Sequence, residues 1–153
     1  MSHNLFNERI ACAAVASQES NQLTSSLEDY LEAIYHLQAK NQGARVKDIA
    51  RIMDVKMPSV TGALRVLAQK GLVRHDPYHR VELTQSGVEC AEGIVEKHKT
   101  VKKFLVEILG LQDNEAEVEA CRIEHAIKPT TLDKLVHFLR HAEKLGLQTD
   151  RHE

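Results

Sequence analysis

The chain has 153 residues, room for one domain or two small ones, and a chain of this length buries roughly 70% of its unfolded surface. Hydrophobic residues at 42% and charged residues at 27% fit an ordinary globular protein, while 7 Gly, 3 Pro, 3 Phe and no Trp disfavour an all-β sandwich. The net charge of −2 hides an uneven distribution: residues 45–80 hold eight Lys/Arg against three Asp/Glu, and the remainder holds 12 against 19. A basic segment inside an acidic chain is what local contact with phosphate requires. The three cysteines, at 12, 90 and 121, are odd in number and far apart, which argues against a disulfide framework and for a reducing compartment. No apolar run approaches the ~18 residues of a membrane span, and Ile10 to Ala16 is too short for a signal peptide. A cytoplasmic location is expected.

Residues 1–22 show no sustained periodicity and read as a mobile N-terminal arm. Ser25-x-x-Glu28 has the spacing of a capping box and opens a helix striped by Leu27, Tyr30, Leu31, Ile34 and Leu37. A short helix follows over Val46 to Met53, with Ile49, Ala50 and Met53 inward. Asp54 to Met57 forms a tight connection to a third helix, which starts with Pro58 in its first turn, turns Val60, Ala63, Leu64 and Leu67 inward, and stops at Gly71. Two short alternating segments around Asp76-Pro77 then predict a β-hairpin. Helix, helix, turn, helix, hairpin is the order of a winged helix-turn-helix.

From Gln85 to Leu109 the pattern is one long helix, with Ala91, Ile94, Val95, Val101, Leu105, Ile108 and Leu109 close to a heptad and His98 on the same stripe. Asn114-x-x-Glu117 has the spacing to cap a helix running to Ile127. Pro129 breaks the chain before a last amphipathic helix marked by Leu132, Leu135, Val136, Leu139, Ala142 and Leu145 and stopped by Gly146. The expected fold is mainly α: the arm over 1–22, a winged-helix DNA-binding domain over 23–90 and a helical metal-binding and dimerisation domain over 91–149.

In a helix-turn-helix the second helix enters the major groove with its early residues toward base edges. Here that places Lys56, Ser59, Thr61, Gly62 and Arg65 at DNA, with Arg74, Tyr78, His79 and Arg80 of the wing on the sugar-phosphate backbone. A winged helix used only for protein contacts is the plainer alternative, and the basic charge of the segment weighs against it.

Several residues are of metal-ligand type. Asp29 and Glu32 share one helix face, and Cys121, Glu124 and His125 fall at i, i+3 and i+4, so a thiolate, a carboxylate and an imidazole converge. Taken singly, each has a bland role: solvated first-turn acids, a core histidine at 98, a buried small cysteine. His137 and His141 have the spacing of a helical zinc pair but lack its glutamate and lie off the apolar stripe. No phosphate loop and no Gly-x-Ser-x-Gly is present, so no catalytic residue and no small-molecule substrate are expected.

Ser26-Leu-Glu-Asp-Tyr-Leu-Glu-Ala-Ile-Tyr, Val46-Lys-Asp-Ile-Ala, Ser59-Val-Thr-Gly-Ala-Leu, Leu83-Thr-Gln-Ser-Gly87 and Glu119-Ala-Cys-Arg-Ile-Glu-His125 give the chain its resemblance to a known family. It resembles the diphtheria toxin repressor family of metal-dependent regulators over residues 24–140, in the two-domain type typified by the manganese transport regulator. The resemblance implies a homodimeric repressor that binds a palindromic operator in double-stranded DNA when Fe(II) or Mn(II) is bound, with no membrane partner. It implies Asp29, Glu32, His98, Cys121, Glu124 and His125 as metal ligands. Asp29 and Glu32 match the manganese branch and Cys121 the iron branch, which makes the set a hybrid. Lys102 stands where the iron branch has an ancillary glutamate, with Glu117 as a substitute contributor. The alternatives are a metal-independent winged-helix regulator with a structural acidic cluster, and a metal enzyme at the same residues.

Overall fold

The structure is a computed structural model, and it describes residues 23–40, 43–76 and 80–147. The arm read over 1–22, and Tyr78 and His79 of the wing, lie outside the described residues. The chain divides into two compact units between Ile94 and Val95. No described helix is long and apolar enough to cross a membrane.

The first unit opens with α1, Ser25–Ala39. Its N-cap is Thr24, in extended conformation, with Oγ1 accepting from Leu27 N at 3.4 Å. The capping box expected from Ser25 is therefore displaced by one residue. Three hydroxyl residues stand in a row, and the one that caps is the last with extended backbone; this puts Glu28 one place too far along to reach back. The helix buries Tyr30, Leu31, Ala33, Ile34 and Leu37. α2, Val46–Met53, ends with Asp54 in the left-handed region at φ 51°, which Asp tolerates because its short side chain bonds locally. Val55 N donates to Ala50 O at 3.0 Å across this turn, and α3 follows at once as Met57–Gln69. Met57, not Pro58, is its first residue; Pro58 still falls in the first turn, where a missing N–H costs nothing. Val60, Leu64 and Leu67 are fully buried with Leu31, Ile34 and Ile49. Each such side chain contributes roughly 1.5–3 kcal/mol by leaving water, and together they fix the angle between α2 and α3.

The hairpin is shorter than the alternation predicts. β1, Val73–Arg74, pairs antiparallel with β2, Glu82–Leu83, in the register Val73 with Leu83 and Arg74 with Glu82. Val81 N donates instead to Ala44 O at 2.7 Å, so this strand switches partner to the α1–α2 connection. α4, Gln85–Glu107, starts against the wing. Thr84 Oγ1 donates to Gly71 O at 2.6 Å and accepts from Gly87 N at 3.0 Å, so one hydroxyl caps the helix and anchors it to the turn after α3. At Gly87 a Cβ would stand 1.9 Å from the Leu72 carbonyl oxygen. Only glycine allows that approach.

The second unit holds the rest of α4, with α5, Asp113–Glu124, and α6, Pro129–Leu145. α4 ends at Glu107, before Gly110 at φ 72°, so Leu109 lies beyond the seam expected of it and is exposed. α5 begins at Asp113 behind an extended Gln112 that makes no side-chain cap. Asn114 is thus inside the helix rather than its cap, and two first-turn acids, Asp113 and Glu115, favour that earlier start through the helix dipole. The helix stops at Glu124, three residues short of Ile127, with His125 as C-cap. Pro129 opens α6 and Gly146, at φ 65°, closes it, with Leu147 N bonded to Ala142 O at 3.0 Å. The core is Val101, Leu105, Ala116 and Ala120, flanked by Phe104, Ile123 and Leu135, and Phe104 meets Phe138 edge to face. Lys103 is paired with Glu143, tying α4 to α6.

The Gly87 contact yields a stability test. Gly87→Ala should lower unfolding stability by about 1–3 kcal/mol through overpacking against the backbone. Gly62→Ala, where a Cβ meets nothing within 4 Å, should be neutral or mildly stabilising. Urea unfolding of both variants measures this, and equal midpoints would contradict the close approach.

Candidate metal centre and nucleic-acid interface

In the second unit a run of charged side chains crosses from α4 to α5. Its centre is Glu124, 1% exposed at the last position of α5. His98 Nδ1 donates to Glu124 Oε2 at 2.6 Å, and His125 Nε2 lies 3.5 Å from Glu124 Oε1. One buried carboxylate thus lies between two imidazoles. The second ring nitrogen of His98 is shielded from solvent and stands 3.2 Å from Glu117 Oε1 without the alignment of a hydrogen bond. Glu117 Oε2 accepts from Lys102 Nζ at 2.7 Å, and Lys102 reaches Asp113 Oδ2 at 3.0 Å. The Lys102 hydrogen bond, seconded by the His98 ring, holds the Glu117 carboxyl below its usual range. Glu117 and Asp113 push the Lys102 ammonium up. These carboxylates lie largely in solvent, so the Lys102 pairs contribute little to stability.

Helix spacing explains the cluster. Glu117 and Glu124, seven apart, lie two turns along one face of α5, and His98 and Lys102, four apart, face them from α4. Cys121, on α5 between the two glutamates, is exposed and in no disulfide. In the first unit, Asp29 and Glu32 lie half-buried on α1, where Glu32 Oε1 meets His36 Nε2 at 3.4 Å. His137 and His141 on α6 are both exposed, with ring centroids 6.2 Å apart, as their place off the apolar stripe implies.

The donor chemistry fits a divalent transition metal. In the second unit Glu124 offers hard oxygens, His98 and His125 borderline nitrogens, and Cys121 a soft sulfur. His98 Nε2 is kept from water with Glu117 Oε1 3.2 Å away, an environment compatible with a nitrogen that ligates a cation.

The side of the first unit that carries α3 and the wing is basic and open. Lys56, Ser59, Thr61, Gly62 and Arg65 are all exposed on or beside α3, and Arg74 and Arg80 are exposed in the wing. Thr61 Oγ1 donates to Met57 O at 3.1 Å, so its proton is spent inside the helix. Next to the wing lies a cleft of about 910 Å3 lined by Arg45, Lys47, Arg74, His75 and Arg80 together with Asp76 and Glu82. Arg45 and Lys47, at the N-terminus of α2, were not among the residues expected at DNA. The signal was present, since both count toward the basic excess of residues 45–80.

A helix-turn-helix with a basic wing, followed by a helical unit with a ligand-rich cluster, defines a DNA-binding regulator of metal-responsive type. Family models describe the two parts: residues 22–81 match the iron-dependent repressor N-terminal DNA-binding domain, and residues 84–146 match the iron-dependent repressor metal-binding and dimerisation domain. The chain belongs to the iron-dependent repressor family, whose members are metal-dependent DNA-binding transcriptional regulators and not enzymes. It is 39% identical over 118 residues to the HTH-type transcriptional regulator MJ0568 of Methanocaldococcus jannaschii, covering 76% of this chain and 94% of that one. It is 31% identical to the iron-dependent repressor IdeR of Mycobacterium bovis, covering 78% of this chain and 52% of the relative. The solved structure of the manganese regulator SloR matches with TM-score 0.67 and 31% identity, over 74% of this chain and 53% of that one. The chain therefore spans about half the length of the IdeR and SloR proteins.

The buried carboxylate gives a prediction that needs no metal. Glu124→Ala strips His98 Nδ1 of its acceptor and should cost about 1–3 kcal/mol of stability in EDTA. Urea unfolding at neutral pH reads it; a midpoint equal to that of the unaltered protein would mean that the His98 bond contributes nothing.

Proposed function

We propose that this protein is a cytoplasmic, homodimeric repressor of metal-homeostasis genes that binds a palindromic operator when Fe(II) or Mn(II) is bound. The observation that carries the reading is Glu124, a buried carboxylate held between His98 and His125. The proposed ligands are Asp29, Glu32, His98, Cys121, Glu124 and His125. When bound, the metal supplies positive charge and a fixed coordination geometry. The protein does the rest. Glu124 holds the His98 ring by Nδ1, leaving Nε2 as the donor, and Lys102 draws Glu117 toward Asp113.

The proposed ligand set draws Asp29 and Glu32 from the DNA-binding half of the chain and the others from the second half, so metal occupancy and DNA affinity are linked. A coupling of about 1–3 kcal/mol changes operator affinity roughly 5- to 150-fold. On the DNA side, Arg65 reaches a base edge or phosphate, Lys56 adds a cation beside it, the small Ser59, Thr61 and Gly62 allow close approach, and Arg74, Tyr78 and Arg80 hold the backbone. Dimerisation is supported by the apolar side chains that the second unit leaves in solvent: Val118, Phe138 and Leu145 are each 45% to 64% exposed. A closed twofold dimer covers such a surface and matches a palindromic site.

The metal follows from the donors. Asp29 and Glu32 suit manganese and ferrous iron, while Cys121 favours iron and binds as the thiolate. Activation by both metals is expected, with iron ahead. The test measures anaerobic binding to a duplex selected from a random-sequence pool, with Fe(II), Mn(II) or EDTA. Cys121→Glu should move the preference toward manganese, and His98→Ala should abolish activation while leaving the helical content intact. An unchanged iron-to-manganese ratio in Cys121→Glu would make that residue packing and not a ligand.

A second expectation concerns the DNA contacts. Arg65→Ala and Arg74→Ala should weaken duplex binding without changing metal affinity, and Arg45→Ala should lower the salt dependence of binding by about one ion. Binding isotherms across a salt series decide it; equal affinities in all three variants would refute this docking.

A further inference from the structure

The leading end of α3 carries an apolar side chain where a DNA-facing helix ordinarily carries hydrogen-bonding groups. Met57, its first residue, is 56% exposed. A single exposed methionine is unremarkable by itself. Its surroundings give it a meaning. Lys56 precedes it, and Arg65 lies two turns further along the exposed side of α3, so the thioether is bracketed by cations that attract a polyanion. Thr61, four residues on and on the same side of the helix, donates its hydroxyl proton to the Met57 carbonyl at 3.1 Å. That bond leaves Thr61 unable to donate to a base. Gly62 adds no side chain, and a Cβ there would meet nothing within 4 Å.

The occupant follows from the chemistry of the major groove. Its base edges present hydrogen-bonding groups at every pair and one apolar group, the C5-methyl of thymine. A flexible, polarisable thioether beside a threonine whose proton is engaged suits that methyl better than it suits the acceptor atoms of the groove. We propose that Met57, backed by Thr61, is a specificity-determining residue that reads thymine in the operator by contact with its C5-methyl group. This rests on α3 being the helix that enters the major groove. It adds a residue to the DNA-facing set and gives Thr61 the part of an apolar contact beside it.

The experiment removes the methyl group without touching a hydrogen bond. A duplex is selected from a random-sequence pool by the full chain loaded with Mn(II), and each thymine is then replaced in turn by deoxyuridine. At one symmetric pair of positions the replacement should weaken binding about three- to tenfold, measured by fluorescence anisotropy at fixed salt. Met57→Ala should bind the thymine and deoxyuridine duplexes equally, and Met57→Leu should keep part of the discrimination. Met57 lies in solvent, so both variants should retain wild-type helical content and melting temperature. A purely structural role for Met57 would lower affinity for both duplexes alike and leave their ratio unchanged. The inference is overturned if no deoxyuridine replacement weakens binding, or if Met57→Ala discriminates as the unaltered protein does. Failure to select or bind any duplex would overturn the DNA-binding reading and this one with it, whereas tight binding indifferent to the methyl overturns this one alone.

Discussion

A carboxylate taken out of water costs several kcal/mol unless positive charge or hydrogen bonds replace its hydration. Glu124 is taken almost wholly out of water, and two imidazoles lie beside it, His98 at 2.6 Å and His125 at 3.5 Å. Neutral imidazoles hydrogen-bond a carboxylate but do not neutralise it. The arrangement is compatible with the divalent cation proposed above to be bound at this cluster. Much of the second unit serves this residue. The spacing of α5 carries Glu117 and Glu124 on one face, the spacing of α4 carries His98 and Lys102 opposite them, and the Val101, Leu105, Ala116 and Ala120 core holds the helices in register.

Lys102 shows how the same rule works at the surface. Its ammonium lies between Asp113 and Glu117 and satisfies two carboxylates that would otherwise repel each other beside His98. The difference between the two ends of the cluster is solvent. Near Lys102 water screens the charges and a flexible side chain suffices, whereas at Glu124 burial removes most of that screening.

Much of the fold was legible because it depends on local signals. α2 falls over Val46–Met53 as its apolar spacing implies, and Gly71 and Gly146 follow the helix ends they mark. The first cap was misplaced because Thr24, Ser25 and Ser26 offer equivalent hydroxyls and backbone conformation decides among them. The short wing was illegible for a different reason. Val81 pairs with Ala44, a contact between residues far apart in sequence that no alternation pattern records. In the cluster, the i, i+3, i+4 spacing on α5 was readable from the chain, but the bond from His98 to Glu124 joins two helices and depends on the packing between them. The place of Asn114 inside α5 shows the limit of a capping motif when acids just ahead of it start the helix sooner.

The central claim is that binding a divalent cation and binding DNA are linked through the Glu124 cluster. The most direct measurement is the affinity of the full chain for a duplex selected from a random-sequence pool, by fluorescence anisotropy, in EDTA and in saturating Mn(II) under anaerobic conditions. The expected result is tighter binding with the metal, by roughly 5- to 150-fold, and loss of that gain in Glu124→Ala. Equal affinity with and without the metal, or a full gain retained by Glu124→Ala, would contradict it.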